Sequence, residues 1–218
     1  MDESQRTVAG VTVIDTPAEG TPAGWRFVYA PGAGSNVHDP FGTYACQRLA
    51  ALGVPSSRFQ FPYHQAKAFR PDPPGVLEQT WGAVLDACRL PNTRTVIGGR
   101  SMGGRIATMI VANGAPVDGL VAFAYPLHQP NKPDRARTSH LSAIHVPTLF
   151  VSGTRDTFGT PEELALATAV DEGSTLHLLD GADHSFAVLK RGGRTKDEVY
   201  AEAVDALIAF VEARGLRG

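Results

Sequence analysis

The sequence predicts an α/β fold: a doubly wound, mostly parallel sheet with helices on both faces, built as a single domain over residues 1–218. Three observations lead there. Apolar, β-rich runs recur along the chain, longer runs of helical period separate them, and the proline- and glycine-rich stretches fall between members of that one series. DTPAEGTPAG, FRPDPPG and HQPNKPDRARTSH therefore read as surface connections and not as domain linkers. A chain of 218 residues buries roughly 70 to 75% of its unfolded surface on folding, so no covalent staple is required.

The expected strands are Val8–Ile14, Trp25–Ala30, Ser57–Phe61, Arg94–Gly99, Gly119–Ala124, Thr148–Gly153 and Thr175–Leu179. The expected helices are Phe41–Leu52, Val76–Leu90, Met102–Asn113, Pro161–Val170 and Asp197–Arg214. The last carries the clearest signal. Val199, Ala203, Val204, Leu207, Ile208 and Val211 share one face, and Gly215 can close the helix in a left-handed conformation.

Composition narrows the function classes. The chain is 43% hydrophobic and 19% charged with a net charge of -2, a balance that favours neither nucleic acid nor another polyanion. Cys46 and Cys88 both lie in helix-like patterns, so buried reduced thiols are expected and no disulfide framework or cysteine-rich zinc site. The N-terminus MDESQRTVAG has no signal-peptide pattern, and no window approaches the ~20 apolar residues of a membrane span. A cytoplasmic protein without cofactor or metal is the expectation.

In an open parallel sheet, ligands bind beyond the carboxyl ends of the strands, so the turns after each strand are where chemistry is sought. The turn after Arg94–Gly99 holds Gly99-Arg100-Ser101-Met102-Gly103, a GxSxG pentad. Chance alone supplies that pattern in roughly one chain of this length in ten or twenty, so its context decides. A strand leads in and a helix leads out, which is what a nucleophile elbow requires: glycines permit close backbone approach while the serine hydroxyl stands at the top of the sheet. A tight turn with an incidental serine would lack partners. A serine hydroxyl is a weak nucleophile and needs a base, and the base needs an orienting acid.

Both occur in later turns. Asp156 follows Thr148–Gly153 in TRDTFG, and His184 follows Thr175–Leu179 in GADHSF. Ser101, Asp156 and His184 thus stand in the order serine, acid, histidine at one edge of the sheet. Asp183 adjoins His184 too closely in sequence to orient its ring well, and Asp180 closes the strand before the glycine turn. Of the other histidines, His177 lies inside a strand, His145 just before one and His140 in a polar connection. His38, His64 and His128 follow strand ends and are expected to line the pocket or to hydrogen-bond to loop backbone. No HxH, HExxH or close carboxylate pairing supports a metal cluster.

The turn after Trp25–Ala30, PGAGSNVHDPF, is the source of a second oxyanion donor. Gly32, Ala33 and Gly34 allow close approach to a bound acyl group, and the N–H of Ala33 would pair with that of Met102 at the helix start. Alone, this stretch would read as a glycine-rich turn opening a helix. Tyr63, His64, Tyr125, Leu127, His128 and Phe158 follow strand ends and are expected to complete the walls. The segment from 127 to 145 is short and rich in proline and charge, too little for a helical lid, so the site should be uncapped and suited to short acyl groups.

With these residues assembled, the chain resembles the α/β-hydrolase superfamily. The resemblance rests on PGAGSNVHDPF, RFQFPY, GGRSMGGR, YPLHQPNKP, VPTLFVSGTRDTFGTPEEL and LDGADHSF, in order from about Ala30 to Phe186. It resembles a small branch that includes dienelactone-hydrolase-like proteins, testis-expressed protein 30 and its chromatin-complex relatives. It implies a minimal α/β-hydrolase fold without a cap domain, with Ser101 as nucleophile, Asp156 as acid, His184 as base, and oxyanion donors near Ala33 and Met102. Pro31 departs from the histidine that many hydrolases carry before the oxyanion glycine. The implied activity is hydrolysis of a small-molecule ester or thioester. The alternative is a catalytically idle hydrolase fold serving as an interaction module, since fold does not name function. A nucleotide-binding enzyme on the same kind of sheet would need GxGxxG or GxxxxGK after the first strand, and PGAGSN offers neither.

Overall fold

The computed structural model describes residues 2–169 and 173–217. Eight strands form one sheet: β1 (Ser4–Val8), β2 (Val11–Thr16), β3 (Trp25–Ala30), β4 (Ser56–Phe59), β5 (Arg94–Arg100), β6 (Gly119–Phe123), β7 (Thr148–Gly153) and β8 (Ser174–Leu179). Their order is β1-β2-β4-β3-β5-β6-β7-β8. The block from β4 to β8 is parallel throughout, and β1 and β2 are added antiparallel at one edge. The helices are α1 (Pro40–Ala50), α2 (Pro62–Gln65), α3 (Pro74–Ala87), α4 (Met102–Ala112), α5 (Pro161–Thr168) and α6 (Lys196–Ala213).

Strand alternation builds two cores. From β3, Phe27 and Tyr29 point to one face, where Phe41 and Leu49 of α1 and Val204 and Leu207 of α6 cover them. Val28 and Ala30 point to the other, against Trp81 of α3, Ile106 of α4 and Leu164 of α5. The same division runs through β6, with Val121 and Phe123 on the α1/α6 side and Leu120 and Ala122 on the α3/α4 side. Central strands buried on both faces read as continuous apolar runs, which is why their positions were visible in sequence.

Two differences from the sequence reading concern the N-terminal half. Val8–Ile14 is not one strand: Ala9 and Gly10 both have positive φ, 48° and 79°, and fold the chain into a β1–β2 hairpin, as a two-residue turn of the I′ kind demands. The expected strand at Ser57–Phe61 ends at Phe59, and the PYHQ stretch behind it winds into α2, led by Pro62. The remaining boundaries move little. The expected end of α5 at Val170 lies outside the described residues. α6 closes as anticipated, with Gly215 at φ 62° and the Leu216 N–H returning to Val211 C=O at 2.9 Å.

The segment between β6 and β7 forms two single-turn 3-10 helices, Pro133–Arg135 and Leu141–Ala143, and no cap domain. No helix among the described residues is long and apolar enough to cross a membrane.

Candidate active site

The bend between β5 and α4 places Ser101 at φ 51° and ψ -117°, a conformation that costs a non-glycine residue energy and persists only when its surroundings impose it. They do so from both sides. The Ser101 N–H donates to Phe123 C=O of β6 at 2.8 Å, and Ser101 C=O accepts from the Arg105 N–H at 2.9 Å. The glycines around it are spacing devices. A Cβ on Gly99 would lie 2.4 Å from Ala30 O, and one on Gly103 would lie 2.3 Å from the same atom, so α4 can start this close to β3 only without side chains there.

His184 Nε2 lies 2.9 Å from Ser101 Oγ, and His184 Nδ1 lies 2.8 Å from Asp156 Oδ2. A carboxylate only accepts, so the Nδ1 proton points to Asp156 and Nε2 is the acceptor facing the serine hydroxyl. The three residues predicted from separate turns therefore form one continuous hydrogen-bonded line. Asp156 is the buried end, with its side chain fully inaccessible. Its Oδ1 accepts the Phe158 N–H at 2.8 Å, and Ser152 Oγ approaches Oδ2 at 3.4 Å. Phe158 also lays its ring on the His184 imidazole, centroids 4.0 Å apart and planes 23° from parallel.

Asp183 has another task. Its Oδ1 accepts the Ser185 N–H, the Ser185 hydroxyl and the Ala187 N–H at 2.8, 2.8 and 3.0 Å, which folds the loop that presents His184. Burial pulls its carboxyl upward, but the Ser185 hydroxyl, the two amides and Arg155 outweigh that and hold it below the usual range. It is thus a loop brace.

The β3–α1 loop lies against the bend. A Cβ on Gly32 would sit 3.5 Å from both Arg100 O and Ser101 Cβ. The Tyr63 hydroxyl donates to Ala33 C=O at 2.8 Å, and burial pushes the Tyr63 pKa up to about 12, so it stays a donor. Neither the Ala33 nor the Met102 N–H has an acceptor among the described residues. Gly34 is exposed, with open space around it. His64 tilts against Tyr63 at 4.2 Å, and its Nε2 is buried with no partner among the described residues. Burial lowers its pKa, against a weaker opposing pull from the Ala33 backbone.

Four expected wall residues have these surroundings. His38 is exposed, its backbone N–H donating to Asn36 Oδ1 at 2.8 Å. His128 is buried and spoken for: Nδ1 meets Gln129 O at 2.8 Å and Nε2 meets Glu163 Oε2 at 3.1 Å, tying the β6–β7 segment to α5. Tyr125 and Leu127 belong to the α3/α4 core, Tyr125 edge-on to Phe150 with its hydroxyl on Arg137 C=O at 2.6 Å. Sequence placed these residues in the right turns, but the direction of a side chain within a turn depends on its packing partners.

The sequence reading passed over Asp39, Tyr29, Ser35 and Arg100. Arg100 Nη2 reaches Asp39 Oδ1 at 2.9 Å, joining the serine bend to the start of α1. The only local signal was Asp39-Pro40, an N-cap followed by proline at the first helical position. A cavity of about 640 Å³ between β8 and α6, lined by Leu176, His177, Glu202 and Phe210 among others, includes none of the predicted site residues. No group of three or more His, Cys, Asp or Glu side chains among the described residues could hold a metal ion.

A parallel sheet of this order, helices on both faces, and a strained serine between strand and helix define an α/β-hydrolase architecture. The alpha/beta hydrolase domain family matches residues 23–212, and the chain belongs to that family. Solved structures agree on the fold. An α/β serine hydrolase homologue from Coxiella burnetii is 17% identical, with a TM-score of 0.74 over 95% of this chain and 96% of that one. A serine hydrolase without a lid from Xanthomonas campestris is 18% identical, with a TM-score of 0.75 over 97% and 94%. A dienelactone hydrolase from Anabaena variabilis is 18% identical, with a TM-score of 0.70 over 95% and 98%.

Proposed function

We propose that the protein is a serine hydrolase of small carboxylic esters or thioesters, working through an acyl-enzyme on Ser101. The observation that carries this is the unbroken line Ser101 Oγ, His184 Nε2, His184 Nδ1, Asp156 Oδ2, with steps of 2.9 and 2.8 Å.

In this reading Ser101 Oγ attacks the acyl carbonyl carbon while its proton passes to His184 Nε2. The carbonyl electron pair moves onto oxygen, which the N–H groups of Ala33 and Met102 receive; the latter also brings the positive end of α4. One such donor is typically worth ~3 kcal/mol in the transition state. Asp156 holds the imidazole in its tautomer and stabilises its cation. The oxyanion collapses, the bond to the leaving alkoxide or thiolate breaks, and that group takes the proton from Nε2. Water then repeats the sequence on the acyl-serine and releases the acid.

The absence of a cap domain and the bulk of Phe158 beside His184 suit short acyl groups in an open site. The test is turnover of p-nitrophenyl acetate together with labelling by a fluorophosphonate probe. Wild type should show both, and Ser101→Ala neither, with an unchanged circular dichroism spectrum. Failure of the folded wild type to label would point instead to an idle hydrolase fold acting as an interaction module.

A further inference from the structure

Asp39 is the last residue of the β3–α1 loop and the N-cap of α1, and its carboxylate is 1% exposed. Each of its oxygens accepts two hydrogen bonds. Oδ2 receives the Tyr29 hydroxyl at 2.6 Å and the Gly42 N–H at 2.9 Å; Oδ1 receives the Ser35 hydroxyl at 2.9 Å and Arg100 Nη2 at 2.9 Å. All four lone-pair directions are occupied. Three of the donors belong to the contiguous stretch from β3 into α1. Only Arg100 comes from elsewhere, 61 residues along the chain, and it immediately precedes Ser101.

The chemistry of the pair is demanding. The start of α1 carries a positive dipole end that would repel a guanidinium, and the Asp39 carboxylate stands between them. Burial and the neighbouring Asp39 charge raise the Tyr29 pKa well above its usual value, so that hydroxyl keeps its proton and stays a donor to Asp39. Removing Arg100 would leave a buried carboxylate whose only remaining donors are neutral, the situation in which breaking a buried pair costs most. Relaxation would have to come from the loop, because β3 is held on both edges by β4 and β5.

That loop carries Ala33, while the bend carries Met102, and the two N–H groups come from chain segments with no other ion pair between them among the described residues. An oxyanion needs both donors within hydrogen-bond reach of one point, and a misplacement of ~1 Å can cost ~100-fold in rate. We propose that the Arg100–Asp39 ion pair sets the distance between these two donors, making Arg100 and Asp39 positioning residues that act through the Ala33 amide. This rests on the serine-hydrolase reading above and adds the residues that hold its oxyanion site together.

The experiment compares wild type with Arg100→Met, Arg100→Lys and Asp39→Asn, using p-nitrophenyl acetate turnover and the affinity of phenylboronic acid. In the boronate complex Ser101 Oγ donates an electron pair to boron, forming a tetrahedral anion, and its proton moves to His184 Nε2. Arg100→Met should lower kcat about 10- to 100-fold with KM within about 2-fold, and weaken boronate binding by a similar factor. Arg100→Lys should recover part of both. If Arg100→Met fails to fold, the same parallel loss in folded Asp39→Asn and Arg100→Lys carries the test. Unchanged kcat and boronate affinity in folded variants, with only a lowered melting temperature, would overturn the positioning role while the hydrolase reading stood. A wild type that neither turned over the ester nor bound the boronate would overturn both.

Discussion

Phe158 touches both partners of the serine: its ring stacks on His184 at 4.0 Å and its N–H donates to Asp156 Oδ1 at 2.8 Å. One residue thus braces Asp156 through its backbone and His184 through its side chain. Substitution separates the two, because every residue but proline keeps the amide N–H. Phe158→Ala frees the imidazole face while sparing Asp156, and a stacking contact of this kind is worth ~1 kcal/mol. The expected outcome is a kcat roughly 5- to 10-fold lower on p-nitrophenyl acetate, with most of it restored in Phe158→Tyr. An undiminished kcat in Phe158→Ala would show that Asp156 alone orients the ring.

The two neighbouring acids in the loops differ in their partners, and that difference is measurable. Asp156 Oδ2 meets the imidazole, whereas Asp183 Oδ1 gathers three donors of its own loop. Asp156→Asn should therefore reduce kcat on the order of 10⁴-fold in a folded protein, since an amide can no longer hold the tautomer. Asp183→Asn keeps an acceptor oxygen in place and should cost less than about 10-fold. Steady-state kinetics on both variants decides between the acids, and the reverse ranking would reassign the role.

Much of this arrangement was legible in the sequence, for a physical reason. Doubly buried strands and the glycines at Gly99 and Gly103 leave strong local signals, and in a parallel sheet the turns bearing Ser101, Asp156 and His184 must all emerge at one edge. The β1–β2 turn was illegible because Ala9, with φ 48°, occupies a position where Asn, Asp or Gly would announce a hairpin, and Val8 and Val11 read across it as one apolar run. His38 and His128 follow the expected strands, yet His38 is exposed and the His128 ring is tied to Gln129 and Glu163, because a turn fixes a residue's place but not its rotamer. The Arg100–Asp39 pairing was invisible for a third reason: it is a long-range contact, and neither the Asp39-Pro40 N-cap signal nor the variable second position of GxSxG points to a partner.

Glycine substitutions provide a test of the elbow that does not depend on activity. Gly103→Ala would force a Cβ to within 2.3 Å of Ala30 O and 2.5 Å of Pro31 O, both backbone atoms that cannot yield cheaply. A destabilisation of about 3 kcal/mol or more is expected, on the scale of overpacking a rigid core. Gly82 lies inside α3 with nothing within 4 Å of the added carbon, so Gly82→Ala should stabilise by about 0.5 to 1 kcal/mol. Urea midpoints of the two variants should move in opposite directions from wild type. A neutral Gly103→Ala would mean that α4 can draw back from β3.

His128 makes the stability of the β6–β7 segment depend on pH, with a sign that its contacts determine. The Gln129 carbonyl raises its pKa most; burial opposes this, and Glu163 adds to the rise. The carboxyl of Glu163 is held low by the Thr160 amide and then by His128 itself, so it remains an acceptor in mild acid. The folded state therefore binds the His128 proton more tightly than the unfolded chain does. Its contribution is complete below the ordinary histidine value of about 6.5 and is lost as pH rises through the elevated folded value. His64 and His140 pull the other way: burial lowers both, and their contribution is lost as pH falls below about 6.5. A His128→Gln variant isolates the first effect, because it leaves the other two in place. The stability gap between wild type and variant, from urea midpoints, should be wider at about pH 5.5 than at about pH 8.5. A gap that is equal at both, or wider in alkali, would show that the imidazole is neutral in the fold and donates to only one of Gln129 and Glu163.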